Sequence, residues 1–158
     1  MFKIGDKIAH PMHGAGIIQK IEERKIGQSI KKYFVLQLNT GGMTVMIPCD
    51  SCDSVGIRPI VDADEAELII DSISEIKTDM TQNWNQRYRE NMLRIKSGDL
   101  VEVATVIKGL VERENVKGLS TGERKMLHSA KQILISEIVM SQNSSYEEVE
   151  MKINAAMA

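Results

Sequence analysis

Over the first 60 residues apolar positions come in short runs rich in Val, Ile, Tyr and Phe, broken by turn residues. From Asp62 onward they recur every three to four positions. The first pattern predicts strands over 6–10, 15–24, 32–38 and 43–47, with a last one near 57–60. Gly14 and Gly16 bracket the first turn, Gly27 loosens the second, and Gly41-Gly42 offers the third two residues free to take positive φ. Pro48 ends the strand pattern, and 48–55 fits a short helical turn before Gly56. Short strands with no helix between them predict a small, strongly bent antiparallel sheet or open barrel. Its core is thin, so it is expected to lean on the rest of the chain.

The second pattern predicts helices. Residues 64–77 open with acids, which suits the positive end of a helix dipole, and carry Leu68, Ile69, Ile73 and Ile76 on one face. A second helix covers 84–96, with Tyr88, Met92 and Ile95 as its stripe, and stops at Gly98. Residues 99–116 place Leu100, Val103, Ala104, Ile107, Leu110 and Val111 at i, i+3, i+4, i+7 spacing. Ser120-x-x-Glu123 is a capping box for a fourth helix, and Ser144-x-x-Glu147 repeats the device for a last one. Strands segregated from helices make the chain α+β and exclude a doubly wound α/β enzyme. The expected organisation is a β domain over 1–60, an acidic joining helix over 61–80 and a compact helical domain over 81–158.

Composition changes this picture little. At 42% apolar and 27% charged residues the chain is ordinary for a soluble globular protein. No apolar run approaches the ~18 residues of a membrane span, and MFKIGDK enters a strand pattern without an apolar leader region. With two cysteines and no export signal, the cytoplasm is the expected compartment and no disulfide framework is implied. Charge is more informative. The net −2 hides a basic excess over 1–60 (8 basic, 5 acidic) and over 81–134 (10 basic, 6 acidic), set against acidic segments at 61–80 and 135–158. Such segregation leaves room for a local basic face on a protein of pI 5.9.

Enzymatic motifs are absent: there is no GxGxxG, P-loop, nucleophile elbow or HExxH, so neither catalysis nor a cofactor is expected. Cys49-x-x-Cys52 and His10-x-x-His13 hold four zinc-ligand types, and would close a tetrahedral site only if the fold joined the two pairs. The stretch 81–91, TQNWNQRYREN, contains the chain's single tryptophan, Trp84, with Arg87 and Arg89 one turn on. A rigid, half-polar ring beside guanidinium groups is suited to nucleic acid; a core or staple tryptophan is the alternative. Arg124-Lys125 falls in the first turn of the fourth helix, where positive charge opposes the dipole. That placement fits an external anion, or a plain surface pair.

These residues carry a resemblance. Phe2-Lys3-Ile4-Gly5-Asp6-Lys7, His10-Pro11-x-His13-Gly14, Thr44-Val45-x-Ile47-Pro48 and Gly56-x-Arg58 are similar to the N-terminal domain of CarD-type transcription regulators, a domain that transcription-repair coupling factors share. Asn83-Trp84-x-x-Arg87-Tyr88-x-x-Asn91, Ser97-Gly98-Asp99 and Gly118-Leu119-Ser120-x-Gly122-Glu123-x-x-Met126-Leu127 resemble the helical half of the same family, in the right order. The resemblance implies a Tudor-like β domain docking on the β subunit of bacterial RNA polymerase and a helical domain at promoter DNA. There a tryptophan wedges at the minor groove, at the upstream edge of the melted region, and holds the open complex. Trp84 occupies that position, and Arg87, Arg89, Arg124 and Lys125 match or adjoin the family's phosphate-contacting positions. On the polymerase side the resemblance points to Arg24, Met46 and Ile47. Met46 stands where some relatives carry arginine, and neither cysteine belongs to the family pattern.

The expected function is thus a non-enzymatic bacterial transcription regulator that stabilises the promoter open complex. Its expected partners are RNA polymerase and, without sequence preference, DNA at the upstream fork. A monomer is expected, with exchange of a β element between two chains as the alternative assembly. Two other functions stay open on the sequence: a protein-interaction module with a buried Trp84, and a zinc protein built on Cys49, Cys52, His10 and His13.

Overall fold

The computed structural model describes residues 2–79 and 82–158; Met1, Met80 and Thr81, the first residue of the tryptophan-bearing stretch, lie outside them. Five strands, β1 (Lys7–His10), β2 (Gly14–Ile26), β3 (Ser29–Leu38), β4 (Thr44–Pro48) and β5 (Arg58–Pro59), form one sheet in the order β4-β3-β2-β1-β5. All its pairings are antiparallel. With β4 and β5 at opposite edges the sheet is open and does not close into a barrel. A bulge between Ile18 and Lys20 bends β2 where it pairs with β3. Ile8, Ile18, Phe34, Leu36, Leu38, Ile47, Cys52 and Ile57 make the small core under the sheet. The helical turn expected over 48–55 is present as a 3₁₀ turn, Cys49–Ser51, running into α1 (Cys52–Val55).

Five longer helices come next. α2 (Ala63–Ser72), capped by Asp62, ends earlier than its apolar stripe and continues only as a 3₁₀ turn, Ile73–Glu75. The cause lies on another helix. Lys108, buried on α4 (Leu100–Val116), donates from Nζ to the carbonyls of Ile73, Ser74 and Ile76 at 2.8, 3.1 and 2.8 Å. An ammonium there satisfies carbonyl groups that a further helical turn would otherwise occupy. α3 (Trp84–Lys96) and α4 keep the bounds that their periodicity predicts, to within a residue. α5 (Thr121–Gln142) is capped by Ser120 as expected, whereas α6 (Tyr146–Met157) is capped by Ser145. The second box is therefore displaced by one residue: Asn143 takes positive φ (52°) to end α5, and Ser145 receives the Glu148 N–H. A second, larger core joins α2 to α6, centred on Val103, Ile107, Leu134, Ile138 and Ile153.

The sheet does lean on the helices, through α5. Gly14, at φ 92°, lies so close to α5 that a Cβ there would sit 2.5 Å from Ser136 Oγ. That closeness lets the Ala15 N–H donate to Ser136 Oγ (3.0 Å) and Asn39 Nδ2 to the Ser136 carbonyl (3.2 Å). At the next residue of α5, Arg58 of β5 grips the buried carboxylate of Glu137 at 2.6 and 2.9 Å and donates to the Gly98 carbonyl from Nε and Nη2. The Val61 N–H completes the set on Glu137 (2.9 Å). Ser136 and Glu137 of α5 are thus paired with Ala15, Asn39 and Arg58 of the sheet half, which gives the two halves a defined relative placement.

Candidate nucleic-acid interface

Trp84 is the first residue of α3. Asn83 caps the helix, its side-chain oxygen accepting from the Gln86 N–H at 2.9 Å. At this position the ring is free of the preceding turn, and four residues on, Tyr88 lies on the same face. The two rings stack with centroids 5.0 Å apart and planes 17° from parallel. The indole N–H donates to Ser120 Oγ at 3.1 Å, so the start of α5 holds the ring from the side. Trp84 nonetheless keeps 43% of its surface in solvent, which excludes a buried core tryptophan.

Beneath it lies a charged pair. Arg87 donates from Nε to Glu123 Oε2 at 2.8 Å and from Nη2 to Oε1 at 3.3 Å, while Nη1 bonds the Gln82 carbonyl at 3.1 Å. Glu123 is 2% and Arg87 7% exposed. Burial alone would raise the Glu123 carboxyl; the hydrogen bond and charge of Arg87, helped by the Ser120 backbone and Arg113, outweigh it and hold the group below its ordinary value. Arg87 is therefore corrected from a phosphate contact to a buried partner of Glu123. Its position three residues after Trp84 turns its guanidinium towards Glu123 of α5 rather than solvent.

Arg89, Arg124 and Lys125 are exposed, as their candidate roles require. Arg89 borders a shallow open depression with Asn83, Trp84, Asn85, Gln86 and Glu90. Arg124 and Lys125 lie in the turn of α5 that follows Ser120, and Arg124 has a loose neighbour in Glu114, 4.0 Å away with both side chains largely in solvent. The fold thus brings Trp84 and two segments of exposed positive charge to one end of α3 and α5.

On the sheet, Arg24 is exposed in β2 opposite Lys31, with Glu22 3.5 Å away. Met46 is half-buried in β4, opposite Val35. Ile47 is corrected: it is 2% exposed, opposite Phe34, and belongs to the core, because alternation along β4 sends it inward. β4 pairs on one side only, with β3, so its outer edge keeps main-chain groups available.

The two halves of the zinc constellation do not meet. The rings of His10 and His13 flank the β1–β2 turn, centroids 4.5 Å apart and tilted by 56°, with His10 against the helical half. Cys49 and Cys52 instead sit beside Phe2 and Phe34 at the far side of the sheet core. Among the described residues no group of three or more His, Cys, Asp or Glu side chains is arranged to hold a metal. Both thiols are pushed up, chiefly by burial, and so lack thiolate character. No described helix is long and apolar enough to cross a membrane.

Sequence periodicity does not show Ser120 as a partner of Trp84, since a capping box accounts for Ser120 and Glu123 without any tertiary role. Nor does it show Glu137 or Lys108, charged residues inside apolar helical stripes. The sequence does carry a signal for these two: a charge at a stripe position implies a buried counter-group.

Two family models match the chain, one over each half. The CarD C-terminal domain matches residues 68–154, and the CarD-like/TRCF RID domain matches residues 2–61. The chain belongs to the CarD family. "Putative transcription factor YdeB" of Bacillus subtilis (strain 168) is 40% identical over 138 residues, covering 87% of this chain and 90% of that protein. This CarD-family protein is accordingly a transcription regulator.

Proposed function

We propose that the protein binds the β subunit of RNA polymerase through its sheet and stabilises the promoter open complex by placing Trp84 against DNA at the upstream fork. One observation carries this: a half-exposed indole, backed on one face by Tyr88 and pinned at its edge by Ser120, stands at the end of two helices that also present Arg89, Arg124 and Lys125. A ring held this way offers its free face to an unstacked base, and so disfavours re-closure of the melted step. The cations supply contacts to phosphate that are independent of sequence.

The tether makes such a weak contact effective, because polymerase supplies a high local concentration of promoter DNA. The outer edge of β4, with Met46 beside it and Arg24 on the neighbouring ladder, is suited to strand addition by a polymerase segment. Ile47 supports that edge from within. The firm junction between sheet and α5 fits the same scheme, since it fixes the distance from tether to wedge. The protein acts without catalysis or cofactor, as a cytoplasmic monomer.

Permanganate reactivity of thymines at the upstream edge of the melted region tests the proposal. Wild-type protein added to polymerase and promoter is expected to raise their reactivity, and Trp84→Ala is expected to leave it at the level of polymerase alone. Equal reactivity with both proteins would remove the wedge.

A further inference from the structure

The hydroxyl of Ser120 has one proton to give and two lone pairs to share. All are engaged in one place: it accepts from the Glu123 N–H at 3.2 Å and from the Trp84 indole at 3.1 Å, and it points at Glu123 Oε1 at 3.4 Å. Glu123 is in turn held by Arg87, three residues beyond Trp84 on the same helix. The contacts close a circuit from α3 to α5 and back. Gly122 lies beside it, where a Cβ would meet Tyr88 at 3.8 Å and the indole at 4.0 Å in ordinary van der Waals contact.

Capping α5 requires only the bond to Glu123. The bond to Trp84 is additional, and it is the one polar contact that an otherwise half-exposed ring makes among the described residues. We propose that Ser120 is a positioning residue, which the Arg87–Glu123 pair holds in place, and that its hydroxyl fixes the orientation in which Trp84 meets DNA. This rests on the wedge function proposed above. It also has a consequence for specificity. With the indole N–H engaged inside the protein, Trp84 has no donor left for a base edge, so it stacks on the base without reading it.

The test separates capping from positioning. Ser120→Gly removes the hydroxyl but keeps a residue that caps helices almost as well as serine; Ser120→Thr keeps the hydroxyl; Trp84→Phe keeps a ring but not the N–H. Open-complex dissociation rate at saturating protein and half-saturating concentration for polymerase are measured for each variant, for the Ser120→Gly/Trp84→Phe pair and for Trp84→Ala. Acrylamide quenching of Trp84 in the free protein is measured for wild type and the two Ser120 variants, which keep the tryptophan.

Ser120→Gly is expected to shorten the open-complex lifetime about fivefold, the scale of one lost hydrogen bond, with the polymerase half-saturation unchanged and Trp84 quenched more readily. Ser120→Thr is expected to restore both. The double variant is expected to lie within about twofold of the worse single one, because both remove the same bond. Wild-type lifetime with Ser120→Gly, or losses that multiply in the double variant, would overturn the positioning role. If Trp84→Ala itself has no effect, the wedge function fails and this inference fails with it; an effect of Trp84→Ala alone leaves the wedge standing and removes only Ser120.

Discussion

Arg87 and Glu123 form a buried two-point ion pair, 2.8 and 3.3 Å across, under the stacked rings of Trp84 and Tyr88. Removing one partner of such a pair strands the other charge in a low dielectric. Arg87→Ala is therefore expected to destabilise the protein by about 3 kcal/mol, read as a lower urea midpoint. Exposed Arg89, mutated to Ala, is expected to change stability by no more than about 0.5 kcal/mol. The contrast separates two arginines two residues apart.

The same pair sets an acid dependence. The folded-state pKa of Glu123 lies below its ordinary value of 4.5. A depressed carboxyl contributes stability above the unfolded value and loses it as pH falls through the folded one. The stability difference between wild type and Glu123→Gln is expected to be constant from neutral pH down to the ordinary glutamate range, and to shrink below it. Urea unfolding at a series of pH values measures this; a difference that grows on acidification would contradict it.

His10 gives a window closer to neutrality. Burial first, and the charge of neighbouring His13 second, lower its pKa from 6.5 to about 4. Its Nδ1 accepts the Met12 N–H at 3.0 Å, and it shares a small crevice with Arg58 and Glu137 at the junction of sheet and helices. Between those two values the unfolded chain binds the proton and the folded one does not, so stability falls as pH drops from 6.5 towards 4. His10→Asn keeps an acceptor for Met12 and is expected to flatten that slope in the urea midpoint.

The junction itself can be tested at Arg58. Glu137 is 1% exposed, and among the described residues only the Val61 N–H would remain on its carboxylate without Arg58. Arg58→Ala is expected to cost about 3 kcal/mol. Arg58→Lys is expected to recover only part of this, because an ammonium cannot serve both carboxylate oxygens and the Gly98 carbonyl in the fork geometry. Urea unfolding of both variants checks the order.

For the DNA contacts, the signature is salt. Binding of the protein to upstream-fork DNA, followed by fluorescence anisotropy, is expected to weaken with ionic strength. Arg89→Ala, Arg124→Ala and Lys125→Ala are each expected to reduce the slope of log K against log salt by about 1, with no dependence on base sequence. Wild-type slopes would remove the residue concerned from the interface.

Much of this architecture is legible in the pattern of apolar residues. The bounds of α3 and α4 come from a 3.6-residue period and from Gly98 and Gly118 behind them, and the strands from alternation and turn glycines. What periodicity does not reveal is which polar residue inside a stripe meets which partner. Arg87 is indistinguishable from Arg89 as a letter, yet one faces Glu123 and the other solvent, because a 100° step per residue puts them on different sides of α3. Ile47 is misplaced for the analogous reason in a strand, where neighbours point to opposite faces. Lys108 shows the limit from the other direction: from 32 to 35 residues away its ammonium takes up three carbonyls where α2 ends.

The central claim, that a polymerase-tethered Trp84 holds the melted promoter open, is tested most directly by open-complex lifetime. RNA polymerase and a promoter are assembled with no addition, with wild-type protein or with Trp84→Ala at concentrations that saturate polymerase, and dissociation is followed after a competitor is added. Wild type is expected to lengthen the lifetime, about tenfold if the contact contributes about 1.4 kcal/mol, and Trp84→Ala is expected to bind polymerase equally but lose most of the gain. A lifetime unchanged by wild-type protein, or lengthened equally by Trp84→Ala, would contradict it.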